Sequence, residues 1–410
     1  MALLILTTGL DLGFIDYLSK FEKCYVFSDY ISGFPDMEDL ALCRNFENVK
    51  ILTEFNIDLR EIDKVVTFDC YYGFIVELFR RLGKDTFGAG NEAILENNRL
   101  IQKTLFPNVS PYQIKTLEEL SAPSVVKVNP YYRGSFETQI FQNQAEVEFF
   151  KTKMRIQAGK FAEEIEYFEE PIIEKETEIG IDAVALGNGI EFPLFFGIEQ
   201  DKSTYIARRI DSIEELRKTP IYINFIVLDN ILREVKYKGF VSTEEIVEKG
   251  NWNKSYLIDI CMRIALPLGM SYQKAYANLY EVIRYNRKPQ IPYKYVFIIP
   301  LSSKLAVDYF IPAVFKDIEV FESFICLQTF YKPKEQVEKK YVELYFIKGF
   351  TTIGSIVLLY DKFPTFEEIE ETLQKIYSTI EIPDMIDETT TLKTNYENFH
   401  KVLEVYNLDR

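Results

Sequence analysis

The stretch from Glu244 to Arg263 contains two carboxylates and a guanidinium that could act together, those of Glu244, Asp259 and Arg263. Residues 239–243 and 256–258 predict two short strands, and the Gly-, Asn- and Lys-rich residues between them predict a turn. An antiparallel hairpin of this kind would bring Glu244 and Asp259 together at one mouth of a sheet, with Arg263 beside them. Such a group suits a magnesium ion and the phosphates that it bridges. A surface hairpin with scattered charges is the alternative for this stretch taken alone.

Three basic residues precede this hairpin and could hold an anionic ligand. Arg99 lies on a predicted helix after the linker of residues 88–90, and Arg133 lies in a Gly-containing loop. Lys127 interrupts the apolar strand of residues 124–128, and a buried ammonium needs a partner. A nucleotide phosphate would be such a partner, although an edge-strand lysine facing solvent explains Lys127 equally well.

Composition limits the kinds of ligand and chemistry. The 410-residue chain carries 47 Lys and Arg against 63 Asp and Glu, a net charge of −16. A general nucleic-acid or anionic-membrane surface would need a basic footprint, so we expect neither. An anionic ligand must instead be held by a local cluster of Lys, Arg and backbone N–H groups. The single histidine, His400, argues against Ser-His-Asp, Cys-His and His-ligated metal chemistry.

The cysteines and the N-terminal residues indicate a cytoplasmic protein. The five cysteines are odd in number, widely spaced and without a C-x-x-C pair, so they predict buried, reduced thiols. The apolar run of residues 2–6 predicts a first strand and not a signal peptide. No apolar run approaches the roughly 18 residues of a membrane-spanning helix, so we expect no membrane partner.

The elements that must position this chemistry begin with alternating short strands and helices over residues 1–95. This βαβ alternation predicts a parallel sheet, and ligands of such sheets bind at the carboxyl ends of the strands. One buried strand ends at Asp69, so Asp69 and the loop behind it are candidates for binding a substrate. The glycines of residues 9–13 lack the G-x-G-x-x-G spacing of a dinucleotide site and predict a tight turn.

The rest of the chain predicts two regions of mixed helix and strand, and its length requires two or three domains. In the middle region we predict a helix over residues 91–105, strands over residues 124–128, 171–175 and 179–185, and a helix over residues 144–158. From about residue 290 we predict strands over residues 293–299 and 353–359, a helix over residues 367–380 capped by Thr365, and a last helix over residues 396–408.

The order of these segments resembles the ATP-grasp superfamily, and within it the glycinamide ribonucleotide synthetase branch. In that family a helix with a phosphate-binding cation is followed by a strand lysine, a Gly-rich lid loop, an adenine-contacting strand and a hairpin with paired carboxylates. The corresponding segments here are residues 88–99, 126–128, 132–138, 172–175 and 256–263. Arg99 stands where a lysine is usual. Each motif is weak by itself, and the resemblance depends on the order and spacing of all of them.

The resemblance implies an α/β and α+β protein with the ATP-grasp fold. A pre-ATP-grasp α/β domain would occupy residues 1–92. The ATP-grasp domain would occupy residues 93–290, with a lid subdomain over residues 112–178. A small C-terminal α+β domain would follow over residues 291–410. Dimers are common among such relatives, so a homodimer is one of the open alternatives; the sequence itself does not indicate the oligomeric state.

The resemblance also implies roles for the charged residues of the hairpin and its surroundings. Arg99 and Lys127 would neutralise the α- and β-phosphates of ATP. Glu244 and Asp259 would hold Mg²⁺ between the β- and γ-phosphates. Arg263 would stabilise the phosphoryl group during its transfer.

The lid and the substrate sides supply the other candidates that the resemblance implies. Arg133 belongs to the lid loop, which would close over the triphosphate and exclude water. The candidates on the nucleotide side are Glu174, Lys175 and Glu178. The candidates on the substrate side are Asp69, Glu199, Lys202 and Tyr205.

The implied reaction is amide formation. A substrate carboxylate would attack the γ-phosphoryl group of ATP to give an acyl phosphate and ADP, and an amine would then displace the phosphate. We expect an amino acid to be joined to a nucleotide-like or other amine acceptor. Cys261 stands where the family commonly has an Asn metal ligand, and a thiol is a poor ligand for Mg²⁺. The alternative is therefore a catalytically silent module that binds nucleotide or a partner protein, and a ligase with a thiol acceptor is a third hypothesis.

Overall fold

Five parallel strands form the first sheet of the computed structural model, which describes residues 2–9, 11–28, 43, 45–52, 57–129, 138–200, 203–265, 268–333 and 340–409. The strands are β1 (Ala2–Leu6), β2 (Cys24–Phe27), β3 (Val49–Leu52), β4 (Ile62–Thr67) and β5 (Asp85–Phe87). They lie in the order β3-β2-β1-β4-β5, and helices α1 (Leu12–Ser19) and α2 (Gly73–Arg81) lie in the connections. Every residue of β1 is buried, which explains why an uninterrupted apolar run encodes this strand.

The segment that carries Arg99 is a helix in two parts and not the single helix predicted over residues 91–105. A 3₁₀ turn (Asn91–Ala93) and α3 (Ile94–Asn97) precede α4 (Arg99–Leu105). Asn98 has an extended backbone, and its side-chain oxygen accepts a hydrogen bond from the N–H of Ile101. Asn98 is therefore the N-cap of α4, a position that asparagine favours. The break places Arg99 at the first residue of a separate helix.

The region predicted as the lid contains a four-stranded antiparallel sheet. Its strands are β6 (Gln113–Lys115), β7 (Ser124–Asn129), β8 (Thr138–Phe141) and β9 (Glu166–Glu170), in the order β6-β9-β7-β8. Helix α5 (Gln144–Ala158) packs on this sheet, where Val126, Phe150 and Tyr167 belong to one apolar core. The strand predicted over residues 171–175 is wrong, because β9 ends before Pro171 and residues 171–174 only connect it to the next strand. Proline has no N–H to pair within a sheet.

Every strand of an eight-stranded sheet contributes buried residues to the largest apolar core. Its strands are β10 (Lys175–Leu186), β11 (Leu194–Gln200), β12 (Thr204–Ile210), β13 (Lys238–Glu248), β14 (Ser255–Cys261), β15 (Tyr295–Ser302), β17 (Ile325–Leu327) and β19 (Thr352–Tyr360). They lie in the order β14-β13-β10-β11-β12-β15-β19-β17. The last three strands in this order come from beyond residue 290, so the boundary predicted between residues 290 and 291 divides one sheet.

The remaining elements cover this sheet and complete the C-terminal region. Strands β16 (Ile311–Phe315), β18 (Val342–Phe346) and β20 (Ile380–Glu381) form a sheet in the order β18-β16-β20. The other helices are α6 (Ile213–Leu216), α7 (Tyr222–Glu234), α8 (Leu268–Ala275), α9 (Leu279–Tyr285), α10 (Ile318–Phe324), α11 (Phe366–Tyr377) and α12 (Thr389–Val405). Thr365 caps α11 as predicted, whereas the last helix begins well before its predicted start at residue 396. Within the described ranges, no helix has the length and apolar character needed to cross a membrane.

Candidate active site

Strands β13 and β14 form the hairpin predicted from the sequence, and its two carboxylates face each other. Glu244 and Asp259 are directly paired in the antiparallel register, so their side chains project from the same face of the sheet. The pair lies within both strands and not at a mouth of the sheet as predicted. The register shifts after Glu244, because Glu245 pairs with Leu257 and leaves Ile258 as an extra residue on β14. Ile258 is thus a β-bulge, a feature that is common beside functional sites.

The carbonyl oxygen of Ile258 brings together the two cations predicted for the phosphates. The guanidinium of Arg99 donates to this oxygen over 3.3 Å, and the ammonium of Lys127 donates to it over 3.0 Å. Arg99 also forms an ion pair of 2.7 Å with Asp259. Arg99 is 2% and Lys127 5% exposed, so both charges are held by the surrounding protein. A helix, a strand of another sheet and a bulge therefore converge beside the carboxylate pair.

Backbone and amide hydrogen bonds fix the segment after α4 against β14. Val109 pairs with Leu257 in a parallel bridge, and the N–H of Leu257 donates to the carbonyl of Asn108 over 2.8 Å. Asn224 on α7 donates to the same Asn108 carbonyl over 3.0 Å and accepts from the Asn108 N–H over 3.2 Å. These contacts hold the end of α4 in place, and so they position Arg99 at the start of the same helix.

A third carboxylate, Glu170 at the end of β9, completes the cation cluster and was not predicted. It lies 2.7 Å from Nζ of Lys103 and 3.5 Å from Nζ of Lys127. Burial alone would raise the pKa of Glu170, but the charges of Lys127 and Lys103 outweigh burial and lower this pKa. Glu170 therefore stays ionised between two lysines and orients Lys127. The available signal was a pair of glutamates just before Pro171, next to the segment predicted to contact adenine.

Arg263 is held by another carboxylate that the sequence analysis missed. Nε of Arg263 donates to Glu96 over 2.7 Å, and the other oxygen of Glu96 accepts from the N–H of Met262 over 2.7 Å. The side chain of Glu96 is 1% exposed, whereas that of Arg263 is 24% exposed. Glu96 can therefore fix the orientation of the guanidinium while part of Arg263 stays accessible to a ligand. Nothing in the sequence around Glu96 identifies this role.

Glu244 and Asp259 are the side chains best suited to a divalent cation. Both are partly exposed, and carboxylate oxygens are the ligands that Mg²⁺ prefers. In the part of the chain that the structure describes, no group of three or more His, Cys, Asp or Glu side chains is arranged to hold a metal ion. Burial raises the pKa of the Cys261 thiol well above its ordinary value, so this neutral thiol is a poor ligand for Mg²⁺. Phosphate oxygens and water would have to complete the coordination shell.

The residues predicted on the nucleotide side contact each other or the hairpin turn. Glu174 has 78% of its side chain exposed, and it forms an ion pair of 3.1 Å with Lys249 in the turn after β13. Lys175 and Glu178, near the start of β10, form an ion pair of 2.9 Å with each other. Glu178 is the more buried of these two, with 19% of its side chain exposed. Glu174 thus faces solvent and lies outside the buried cation cluster.

The residues predicted on the substrate side are placed differently from one another. Tyr205 is 5% exposed, and its hydroxyl donates to Asp182 on β10 over 2.7 Å. Burial raises the pKa of Asp182 to about 7. Tyr205 therefore lies in the protein interior beside Asp182, and its place on the substrate side stays a prediction. Glu199 pairs with Tyr205 in the sheet register and is partly exposed. Arg133 and Lys202 lie outside the described residues.

Asp69 lies at the carboxyl edge of the first sheet, near the chain that leaves β14. Its carboxylate accepts from the N–H of Thr8 over 3.1 Å and from the N–H of Tyr71 over 2.8 Å. The N–H of Ile264 donates to the carbonyl of Phe68 over 3.2 Å. This edge of the first sheet therefore adjoins the end of the strand that carries the second carboxylate of the pair.

Solved structures share this architecture over almost the whole chain. The ADP complex of an N5-carboxyaminoimidazole ribonucleotide synthetase is 16% identical, with a TM-score of 0.59 over 92% of this chain and 96% of that chain. Phosphoribosylamine–glycine ligase from Thermotoga maritima is 13% identical, with a TM-score of 0.63 over 94% of this chain and 98% of that chain. The biotin carboxylase domain dimer of the Hydrogenobacter thermophilus 2-oxoglutarate carboxylase, bound to MgADP, ADP and bicarbonate, is 13% identical, with a TM-score of 0.63 over 99% of this chain and 98% of that chain.

These likenesses establish the fold of the chain. All three structures are ATP-grasp proteins, and the chain has the ATP-grasp fold, as the resemblance implied. No protein-family model matches the chain, and no curated protein matches it. At identities this low the likeness establishes the fold, and the activity must be argued from the site itself.

Proposed function

We propose that the protein is an ATP- and Mg²⁺-dependent carbon–nitrogen ligase that joins a carboxylate to an amine through an acyl phosphate. The observation that carries this proposal is the convergence of Arg99 and Lys127 on the bulged carbonyl of Ile258, beside the paired Glu244 and Asp259. Phosphoryl transfer needs little from side chains beyond charge neutralisation and alignment. Two buried cations beside two carboxylates can meet both needs.

The triphosphate would bind at the two buried cations. Arg99 is paired with Asp259 and Lys127 with Glu170. On nucleotide binding, Arg99 would exchange Asp259 for phosphate oxygens, and Asp259 would then be free to hold Mg²⁺ together with Glu244. The exchange keeps every charge paired, which matters because an unpaired buried charge is costly. The structural neighbours that contain ADP or MgADP support a nucleotide as the ligand.

Arg263 would stabilise negative charge on the phosphoryl group during transfer. Its buried partner Glu96 fixes the guanidinium before the substrate arrives, and such preorganisation is what makes an electrostatic contact catalytic. The lid loop around Arg133 would close over the site and protect the acyl phosphate from water. On the nucleotide side, Lys175 and Glu178 at the start of β10 would contact ATP, and the side chain of Glu178 is less exposed than that of Glu174.

The acceptor would bind at the carboxyl edge of the first sheet, where the segment around Asp69 adjoins the end of β14. We propose an amino acid as the carboxylate and a nucleotide-like or other amine as the acceptor. The name of the neighbouring phosphoribosylamine–glycine ligase supports this pairing, and the bicarbonate bound to the biotin carboxylase domain adds a second carboxylate to test. Because that domain forms a dimer, we also expect a homodimer, which light scattering would check.

A catalytically silent nucleotide-binding module is the second candidate. Two observations favour it: Arg99 already neutralises Asp259, and the neutral Cys261 thiol adds no ligand for Mg²⁺. Such a module would bind ATP through Arg99 and Lys127 without transferring the phosphoryl group.

Binding and turnover measured in sequence separate the two candidates. Calorimetry with ATP should show binding that requires Mg²⁺. ADP release should then appear with one carboxylate from a panel of amino acids and bicarbonate, and hydroxylamine should trap its acyl phosphate as a hydroxamate. Binding without ADP release on any carboxylate would favour the silent module, and the absence of ATP binding would contradict both candidates.

A matched pair of variants ties the result to the site. Lys127→Met removes the ammonium from β7, while Lys115→Met removes one from β6 of the same sheet, where Lys115 pairs with Glu169. We expect weaker ATP binding in the first variant only. Equal ATP affinity in both variants and the wild type would remove Lys127 from the site.

A further inference from the structure

We infer that the amine acceptor carries no phosphate group and binds at the carboxyl edge of the first sheet as an ammonium. The inference rests on the proposed function and narrows its acceptor to amines without a phosphate group, which excludes nucleotides and phosphoribosylamine but keeps nucleoside-like and other amines. It starts from the N-terminus of helix α1, which follows β1 at the carboxyl edge of the sheet. In open α/β folds this position is a common phosphate site, because unpaired N–H groups and the helix dipole attract anions.

In this protein three N–H groups at the start of α1 already have partners. The N–H of Gly13 donates to the carbonyl of Gln328, in the C-terminal region, over 2.9 Å. The next two N–H groups along the helix both donate to the carbonyl of Asp11. The approach is close, because a Cβ atom on Gly13 would lie 1.7 Å from the carbonyl oxygen of Leu327. A phosphate group at this position would therefore find these three donors already used and the space beside Gly13 filled by protein atoms.

A buried carboxylate stands at the same place. Asp11 immediately precedes α1 and is 6% exposed. Its Oδ1 accepts from the hydroxyl of Thr7, whereas its Oδ2 has no hydrogen-bond partner among the described residues. A buried acceptor oxygen without a donor is unfavourable, so a ligand that supplies an N–H donor would be stabilised here. Burial raises the pKa of Asp11 to about 6, which leaves the group mostly ionised at neutral pH and suited to an ammonium.

The edge that holds Asp11 is connected to the proposed phosphoryl-transfer site. Thr8 follows β1, and its N–H binds the carboxylate of Asp69, which follows β4. The carbonyl of Cys70 accepts from the side chain of Asn97 on α3 over 3.2 Å. The neighbour of Asn97 on this helix, Glu96, orients Arg263. An amine held at this edge therefore lies on the side from which an acyl phosphate would be attacked.

A phosphorylated acceptor would meet the wrong charge at this edge. Its phosphate would lie beside the buried Asp11 carboxylate, and like charges repel each other strongly where water screens them poorly. An unphosphorylated amine would instead pair its ammonium with the unpartnered Oδ2. The charge at this edge therefore favours acceptors without a phosphate group, whatever other groups the acceptor carries.

Matched amines that differ only in a phosphate test the inference. Ethanolamine and O-phosphoethanolamine form one pair, and glucosamine and glucosamine 6-phosphate form another. With ATP, Mg²⁺ and the carboxylate that hydroxylamine trapping identifies, we expect kcat/KM to be at least roughly tenfold higher for the unphosphorylated member. An equal or higher value for the phosphorylated member would overturn the inference and leave the ligase activity standing. The absence of any hydroxamate would instead count against the proposed function.

A variant of Asp11 and a control on the same helix sharpen the test. Asp11→Asn keeps the size of the side chain and removes its charge, so the preference for the unphosphorylated amine should fall by roughly tenfold. Asp16→Asn removes a carboxylate further along α1 that pairs with Lys20 at 3.4 Å and Lys332 at 3.5 Å, and it should leave the preference unchanged. An unchanged preference in a folded Asp11→Asn variant would contradict the role of Asp11. If that variant does not fold, the wild-type preference alone decides.

Discussion

Glu244 and Glu245 are neighbours on β13, yet the strand places them in opposite environments. Successive side chains of a strand project to opposite faces of the sheet. Glu244 is partly exposed and faces Asp259 across the hairpin. Glu245 is fully buried, and its carboxyl group accepts hydrogen bonds from Ser255 and Asn224. One face of the strand is thus suited to holding a cation, and the other face is part of the core.

The difference shows that partners and solvent, and not residue type, decide what a glutamate does. Burial beside neutral donors raises the pKa of Glu245 to about 8, so its carboxyl group stays protonated at neutral pH. Glu244 lies beside a second carboxylate that a buried guanidinium already holds, so a cation can be shared between the two. The β-bulge at Ile258 shifts the pairing between β13 and β14 by one residue between Glu244 and Glu245.

The largest effect should come from removing charge on the site face. We expect Glu244→Gln and Asp259→Asn each to lower ATP turnover by roughly 100-fold or more, because each amide keeps its shape but loses the charge that balances Mg²⁺. Measuring ADP release together with thermal unfolding would show lost turnover in a folded protein. Wild-type turnover in both variants would end the assignment of this face to catalysis.

Lys127 has two roles in this comparison, because it belongs to the candidate site and also pairs with the buried Glu170. In Lys127→Ala we expect turnover to fall by roughly 100-fold and stability to fall as well, because Glu170 then keeps only Lys103 as a cationic partner. ATP titration and urea unfolding would measure the two losses separately. If the double variant Lys127→Ala/Glu170→Gln recovers stability but not turnover, the two roles of Lys127 are distinct. Recovery of both would mean that Lys127 only neutralises Glu170.

The sequence predicted the elements whose apolar pattern is local. The buried run of β1, the helix α5 over residues 144–158 and the β13–β14 hairpin all follow from patterns of a few residues. The order of motifs then predicted the fold. Patterns of this kind could not predict that β12 pairs with β15, because Ala207 and Val296 are far apart in sequence. The predicted domain boundary at residue 290 therefore divided a sheet.

The sequence predicted the cations and the carboxylate pair of the candidate site, but not what holds them. Glu96 and Glu170 act through partners that only the tertiary structure brings near, namely Arg263 and Lys127. The bulge at Ile258 depends on the register between two strands, and a one-residue shift leaves no mark in composition or periodicity. Side chains that orient other side chains were therefore the part that sequence reasoning missed.

Glu245→Gln should give a smaller effect, and one on stability instead of turnover. In the folded protein the pKa of Glu245 lies near 8, well above its ordinary value, so the unfolded chain releases the proton first as pH rises. The stability that protonated Glu245 contributes is complete below its ordinary pKa and is lost as pH rises towards about 8. Glutamine mimics the protonated form. As pH rises over this range, the free energy of unfolding of Glu245→Gln should therefore fall less than that of the wild type, and the difference should be a few kcal/mol at most.

Urea unfolding at pH 5.5 and pH 8.5 would measure the slope of the free energy of unfolding against pH. Glu244→Gln, one residue away on the opposite face, is the matched control and should keep the wild-type pH dependence. If Glu245→Gln keeps the wild-type slope, or if it abolishes ATP turnover, then the two faces of β13 do not divide their roles as the comparison states.

The smallest effect should come from Glu174, which sharpens the comparison between exposed and buried glutamates. Glu174 has 78% of its side chain exposed and pairs with Lys249, whose side chain is 64% exposed, so its charge is well screened by water. Glu174→Ala should therefore change the KM for ATP by less than roughly threefold, whereas Glu170→Gln should raise this KM clearly, because it releases the buried lysines that Glu170 orients. Steady-state kinetics on both variants would check the contrast. A larger effect from Glu174→Ala would mean that Glu174 contacts the adenine side, as its place in the motif order predicts. The exposure of a glutamate side chain would then be a poor guide to whether it contacts the nucleotide.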